Sequence, residues 1–180
     1  MATVHNTTLT PTKLELLTVW LPRQPWYRGS GAPELTKAGG FRLDDPAGEV
    51  GIELMVVVDA GTSDAYFVPM TYRGAETDGD LIGTMEHGVL GTRFAYDGAT
   101  DPVLRAALTA LIRGEVRPQA QSTSNTEDPT VHVGLHLEAT GVDILRLLTS
   151  SDAPPRPGEV SVPWRAADGQ TVRGVLTHPA

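Results

Sequence analysis

Val50-Gly51-Ile52-Glu53-Leu54-Met55-Val56-Val57-Val58-Asp59, the turn Ala60-Gly61-Thr62-Ser63-Asp64, and Ala65-Tyr66-Phe67-Val68-Pro69-Met70-Thr71-Tyr72-Arg73 read as one antiparallel hairpin. The unbroken Met55-Val56-Val57-Val58 predicts a strand covered on both faces, since a half-exposed strand would alternate apolar with polar residues. Pro69 has no backbone N–H to give a ladder, so its strand is expected at a sheet edge, or with the missing donor directed outward.

On the N-terminal side, Thr12-Lys13-Leu14-Glu15 has the form of a capping box, and Pro11 and Pro22 bracket a helix over residues 12–21 with Leu14, Leu17 and Leu21 on its buried side. The Gly- and Pro-rich residues 23–33 and the turn at Asp44-Asp45-Pro46-Ala47-Gly48 lead into the hairpin. Beyond it, residues 81–87 and 92–97 read as strands, with Gly88 and Gly91 flanking their turn. Asp101 suits a helix cap and Pro102 the first helical position; Val103, Leu104, Ala107, Leu108, Leu111 and Ile112 then make an apolar stripe that Gly114 closes.

Residues 115–130 are rich in Gln, Ser, Thr, Asn and Asp and predict a polar linker or a long mobile loop. Residues 131–138 alternate, so Val131, Val133, Leu135 and Leu137 are expected in a core, with His132, His136 and Glu138 on the other face. Residues 141–148 predict a short helix, Pro154-Pro155-Arg156-Pro157 a stiff spacer, and residues 159–165 with 171–177 a hairpin turned at Ala167-Asp168-Gly169. Consecutive strands joined by tight turns, with a few helices among them, predict the α+β class with a mainly antiparallel sheet. The expected organisation is a domain over residues 1–114, the polar segment 115–130, and a C-terminal strand, short helix and hairpin over residues 131–180 packed on the same domain.

Fourteen basic residues against 22 acidic ones give a formal net charge of -8, a surface that repels nucleic-acid phosphates and anionic lipid headgroups. Nucleic acid and membranes are therefore not expected partners. There is no cysteine, which removes disulfides, thiolate zinc sites and Cys nucleophiles. The longest apolar run, residues 54–58, is too short to span a bilayer, and residues 1–20 lack the regions of a signal peptide, so the cytoplasm is the expected location. Without such a signal, the glycosylation sequon Asn6-Thr7-Thr8 is read as a chance match.

Four stretches, in order, carry a family resemblance: Trp20-Leu21-Pro22-Arg23-Gln24-Pro25-Trp26-Tyr27 followed by Gly29-Ser30-Gly31; Tyr66-Phe67-Val68-Pro69; Ile82-Gly83; and Tyr96-Asp97-Gly98-Ala99-Thr100-Asp101-Pro102. Across residues 13–114 the chain resembles the N-terminal cap domain of actinobacterial maltokinases and related aminosugar kinases. The resemblance implies a curved, mainly antiparallel sheet with packed helices and a cystatin-like topology. It also implies a place near trehalose, maltose or glycogen metabolism. Ser30 departs from the basic residue that many family members carry between the two glycines. The phosphotransferase body that follows the cap in those kinases is not found in these 180 residues, which end at Ala180. Nor is there a Gly-x-x-x-x-Gly-Lys cradle or a His-x-Asp catalytic loop, and Lys13 and Lys37 are the only lysines.

The expectation is thus a non-catalytic, free-standing cap-like module with a protein partner or a second copy of itself, and with no cofactor, no metal and no catalytic residues. An apolar surface left exposed on the sheet or on the 101–114 helix would support it. The alternative is a ligand-binding or enzymatic protein that uses a concave sheet as a pocket for a small, sugar-type molecule, with Tyr72, His87, His132 and His136 as its polar groups. A cystatin-like protease inhibitor ranks third, since no inhibitory loop signature is visible. Trp26 and Tyr27 could stack on a sugar ring, although aromatic residues after a helix end more simply anchor that helix to the sheet. His132 and His136 with Glu138 share a strand face, with about 6.8 Å between successive same-face positions, too widely spaced for one ion without help from other segments. Glu86 and His87, as strand neighbours, point to opposite faces, and His5 and His178 lie near the termini.

Overall fold

The computed structural model describes residues 7–180; His5 and the asparagine of the sequon lie outside the described residues. In chain order the elements are β1 (Leu9–Thr10), α1 (Lys13–Trp20), β2 (Leu35–Leu43), β3 (Gly51–Asp59), β4 (Ala65–Arg73), β5 (Leu81–His87), β6 (Gly91–Asp97), α2 (Pro102–Ile112), β7 (His132–Val133), β8 (Val142–Ile144), β9 (Leu147–Leu148), β10 (Val160–Arg165), β11 (Thr171–Val175) and β12 (Thr177–Pro179). Among the described residues ten strands form one sheet in the order β1-β5-β6-β4-β3-β2-β10-β11, with β7 beside β10 and β9 beside β4. β8 and β12 make a separate pair, and every pairing is antiparallel. The α+β reading holds.

β3 lies at the centre and is buried along its length after Gly51. Because side chains alternate across a strand, it feeds two cores. Ile52, Leu54, Val56 and Val58 join Phe41, Phe67, Leu104, Leu108, Leu111, Val162, Trp164 and Leu176 on one face. Met55 and Val57 join Leu17, Leu21, Tyr66, Val68 and Met70 on the other. Thus α2 and the C-terminal strands cover the first face, and α1 covers the second.

Both helices begin as their local sequence requires. Thr12 accepts from the Glu15 amide at 3.2 Å while Glu15 Oε2 accepts from the Thr12 amide at 2.7 Å, completing the capping box. Asp101 caps α2 through the Val103 amide at 2.9 Å. Its other oxygen takes Thr71 and Arg73, both at 2.8 Å, and so ties the helix start to β4. Gly114, at φ +76°, turns the chain out of the helix.

Three expectations need correction. β4 is interior, not an edge: β3 flanks one side, while β9 and then β6 share the other. Pro69 sits where those two partners change over, between the Phe67 amide bonded to Arg146 O and the Pro69 carbonyl that accepts from Gly98, so no ladder bond is lost. Residues 131–138 pair only at His132–Val133. Their partner bends at Gly158 (φ +87°), the ladder ends, and Leu135 and Leu137 are left 57% and 74% exposed. Residues 141–148 are not a helix. Sheet edges offered their backbone better partners, with β8 pairing to β12 and β9 to β4.

No element was expected over the residues of β2, where Gly39 and Gly40 would ordinarily weaken a strand. They instead accommodate a bulge between Lys37 and Gly39 and close packing between two strands. A Cβ at Gly40, whose φ is +120°, would stand 2.0 Å from Leu54 O, and one at Gly39 2.6 Å from Pro163 O.

Leu104 is fully buried where α2 meets the sheet. Leu104→Ala is expected to lower the unfolding free energy by about 2–5 kcal/mol, and Val19→Ala, at a 59% exposed position, by less than about 0.5 kcal/mol. Urea denaturation of the two variants checks the contrast.

Candidate functional site

On the α1 face, side chains from β2, β3, β4, β5 and β6 surround a cleft of about 400 Å³. Its floor follows from register. Arg42 of β2 stands opposite Glu53 of β3, Gly51 opposite Tyr72 of β4, Tyr72 opposite Ala95 of β6, and Arg93 opposite Met85 of β5. Gly51 leaves the Tyr72 ring uncovered at that point, since a Cβ there would touch it at 3.3 Å.

Glu53 is the centre of this arrangement. It is 3% exposed, and all of its acceptor capacity is used. Oε2 accepts from Lys13 Nζ and, at 2.8 Å, from the Tyr72 hydroxyl. Oε1 accepts from Lys37 Nζ and Gln121 Nε2, each at 3.1 Å. Burial alone would raise its pKa; the charges of Lys13 and Lys37 and the hydrogen bonds from Lys13 and Tyr72 outweigh burial and hold it at about 2. Tyr72 moves the opposite way, raised well above its ordinary 10.0 by burial and by the adjacent carboxylate. Lys13 Nζ also lies 4.9 Å from the centre of the Tyr72 ring, a cation–π contact. A carboxylate so held is permanently ionised near neutral pH and has no lone pair left for a substrate proton. Its chemistry is structural.

The sequence-predicted site residues separate into three places. Tyr72 and His87 both line the cleft. His87 Nδ1 accepts from the amides of Val89 and Leu90 at 3.2 and 3.1 Å, which shapes the β5–β6 turn. Trp26 and Tyr27 meet around Tyr66, with ring centres 5.9 and 5.6 Å away, and Trp20 lies edge-on to Trp26 at 5.9 Å. Tyr27 donates to Asp59 at 3.0 Å, and burial together with that bond pushes its pKa up to about 12. Arg146 covers Trp26 at 4.9 Å and pairs with Asp97. The aromatic residues thus join the end of α1 to β4, leaving Trp26 and Tyr27 half-buried.

His132 is exposed on β7, and His136 lies beyond the end of that strand, its amide bonded to Ile112 O at 2.9 Å. Neither lines the cleft. Among the described residues no group of three His, Asp or Glu side chains is placed to hold a metal ion. Nor is any helix among them long and apolar enough to cross a membrane.

Sequence reading missed Lys13, Lys37, Glu53, Arg42, Arg93 and Gln121 as a constellation. A signal existed for the core of it: one glutamate inside a strand expected to be buried on both faces, in a chain with two lysines.

Residues 20–101 match the family model of the maltokinase N-terminal cap domain. No curated protein and no solved structure matches the chain. The cap match begins at the last residue of α1 and ends at the N-cap of α2, so it contains all of β2 to β6 and with them most of the cleft. Lys13 and Gln121, which complete the shell around Glu53, lie outside the matched cap segment on either side.

Because folding holds Glu53 at about 2 against an ordinary 4.5, its ionised form contributes stability that is fully present above about pH 4.5 and is lost as pH falls toward 2. The contribution is on the order of 3 kcal/mol. Glu53→Gln is expected to be less stable than the parent at pH 7 by roughly 3 kcal/mol and to lose less stability on acidification. Some acid sensitivity should remain, because backbone amides acting on Asp45 and Arg73 acting on Asp101 hold both carboxyls low against the effect of burial. Urea midpoints measured from pH 7 to pH 3 test both statements.

Proposed function

We propose that this chain is a non-catalytic, cap-like module whose role is to bind rather than to turn over a substrate. The observation that carries the reading is the cap-domain match over residues 20–101, which coincides with the block of strands forming the centre of the sheet. The state of Glu53 supports it: the most heavily hydrogen-bonded carboxylate of the cleft is consumed in holding α1, β2 and β4 together. By analogy with the kinases that carry such a cap, the module acts in the cytoplasm near maltose, trehalose or glycogen metabolism, through a protein partner or a second copy.

A second reading, small-ligand binding on the sheet, draws on the cleft itself, whose volume lies within the range of small-molecule sites. The two are compatible, since a module can dock on a partner and sense a metabolite.

Purified chain incubated with ATP, magnesium and maltose or glucosamine is expected to yield no sugar phosphate above an enzyme-free control. Sugar phosphate formed in proportion to chain concentration would overturn the non-catalytic reading. Affinity purification from the native cytoplasm is expected to bring down a sugar-metabolising enzyme in fixed ratio; recovery of the chain with only a metabolite bound favours the second reading.

A further inference from the structure

The half-buried arginines of this protein divide into two groups. Arg73 and Arg146 pair with Asp101 and Asp97, while Arg105, Arg113 and Arg173 donate to backbone carbonyls. The guanidinium groups of Arg42 and Arg93 have no hydrogen-bond or ion-pair partner among the described residues, and both residues line the cleft on the α1 face. None of their guanidinium nitrogens is among the buried side-chain atoms left without a partner, so these donors open onto the cleft and are available to an acceptor that enters it.

The acidic groups nearby do not supply that acceptor. Glu53 is saturated by Lys13, Lys37, Tyr72 and Gln121. Both oxygens of Asp45 accept backbone amides, from Ala47, Glu49 and Val50. Glu49 lines the cleft as an exposed residue and forms no ion pair with either arginine. Arg42 on β2 and Arg93 on β6 are separated by β3 and β4, three strand spacings or about 14 Å across the sheet, and by a register offset of four residues, about 14 Å along it. Between them lie the Glu53–Tyr72 floor and the apolar side chains of Leu9 and Met85.

We infer that the cleft binds a small oxyanion-bearing metabolite, a phosphate ester or a polycarboxylate, with Arg42 and Arg93 as the anion-binding side chains. Guanidinium forks match phosphate and carboxylate oxygens two at a time, and a site flanked by two of them selects a compact anion over a neutral sugar. The net charge of -8 turns long polyanions away, while leaving this recess locally basic. The inference rests on the chain acting as a binding module and adds the class of ligand. Sugar phosphate production by the chain would overturn the binding-module reading without touching the titration described next.

The test titrates the full chain with inorganic pyrophosphate, citrate and maltose, by calorimetry and by amide NMR shifts. Saturable one-site binding of pyrophosphate or citrate is expected, the stronger of the two identifying the anion class, with none for maltose. Shifts in the unaltered chain should centre on Gly51, Tyr72 and Met85, a readout that does not depend on any variant folding. Arg42→Gln and Arg93→Gln, each confirmed folded by thermal melting, should each weaken binding at least tenfold, and Arg165→Gln, on the exposed end of β10, should leave it within twofold. Absence of saturable anion binding, shifts scattered over the surface, or equal loss in all three variants would overturn the proposal.

Discussion

A carboxylate in the middle of a strand buried on both faces constrains everything around it. An ionised Glu53 left without donors would be far too costly to fold around, so each of its oxygens must meet a donor from somewhere else in the chain. The donors come from α1, β2, β4 and the loop after α2, through Lys13, Lys37, Tyr72 and Gln121. Four segments far apart in sequence are thereby held at one point of the sheet. A pair of this kind is weak grounds for extra stability compared with an apolar replacement, but it is strong grounds for a defined register, because a strand slipped by one residue would deliver Glu53 to the opposite, wholly apolar core.

The sheet acts as a partition between two cores of different origin. The α1 side is built chiefly from segments inside the cap match, and it carries the aromatic cluster and the cleft. The other side is closed by α2 and by β10, β11 and the residues around β8, which lie beyond the match. Asp101 is the seam between the two: it ends the matched segment, caps α2, and grips Thr71 and Arg73 on the central strand β4. The C-terminal third of the chain therefore completes the hydrophobic cover of the cap-like strands.

Where the sequence was legible, short-range chemistry and apolar pattern agreed. Met55-Val56-Val57-Val58 was two-faced as the unbroken run implied, Thr12 and Glu15 made the reciprocal cap, and Asp101-Pro102 opened α2. Reading failed where a distant partner overrode the local pattern. β2 went unread because nothing in residues 35–43 announces that two flanking strands approach too closely at Gly39 and Gly40 for a side chain. The alternation of residues 131–138 outlasted its pairing because the turn at Gly158 lies in another segment, and residues 141–148 found strand partners that no helical propensity could foresee. The cleft stayed hidden for the same reason: Arg42 and Arg93 come to line one recess only through the pairing of intervening strands.

Lys13 and Lys37 are the chain's only side-chain amines, and both are spent on the same buried acid. Acylation of either one would remove a positive charge from beside Glu53 and take a donor from one of its oxygens. Amine-directed tags, crosslinkers or acetyl groups are thus not neutral decorations on this molecule. They would act on the joint that fastens its first helix and second strand to the sheet.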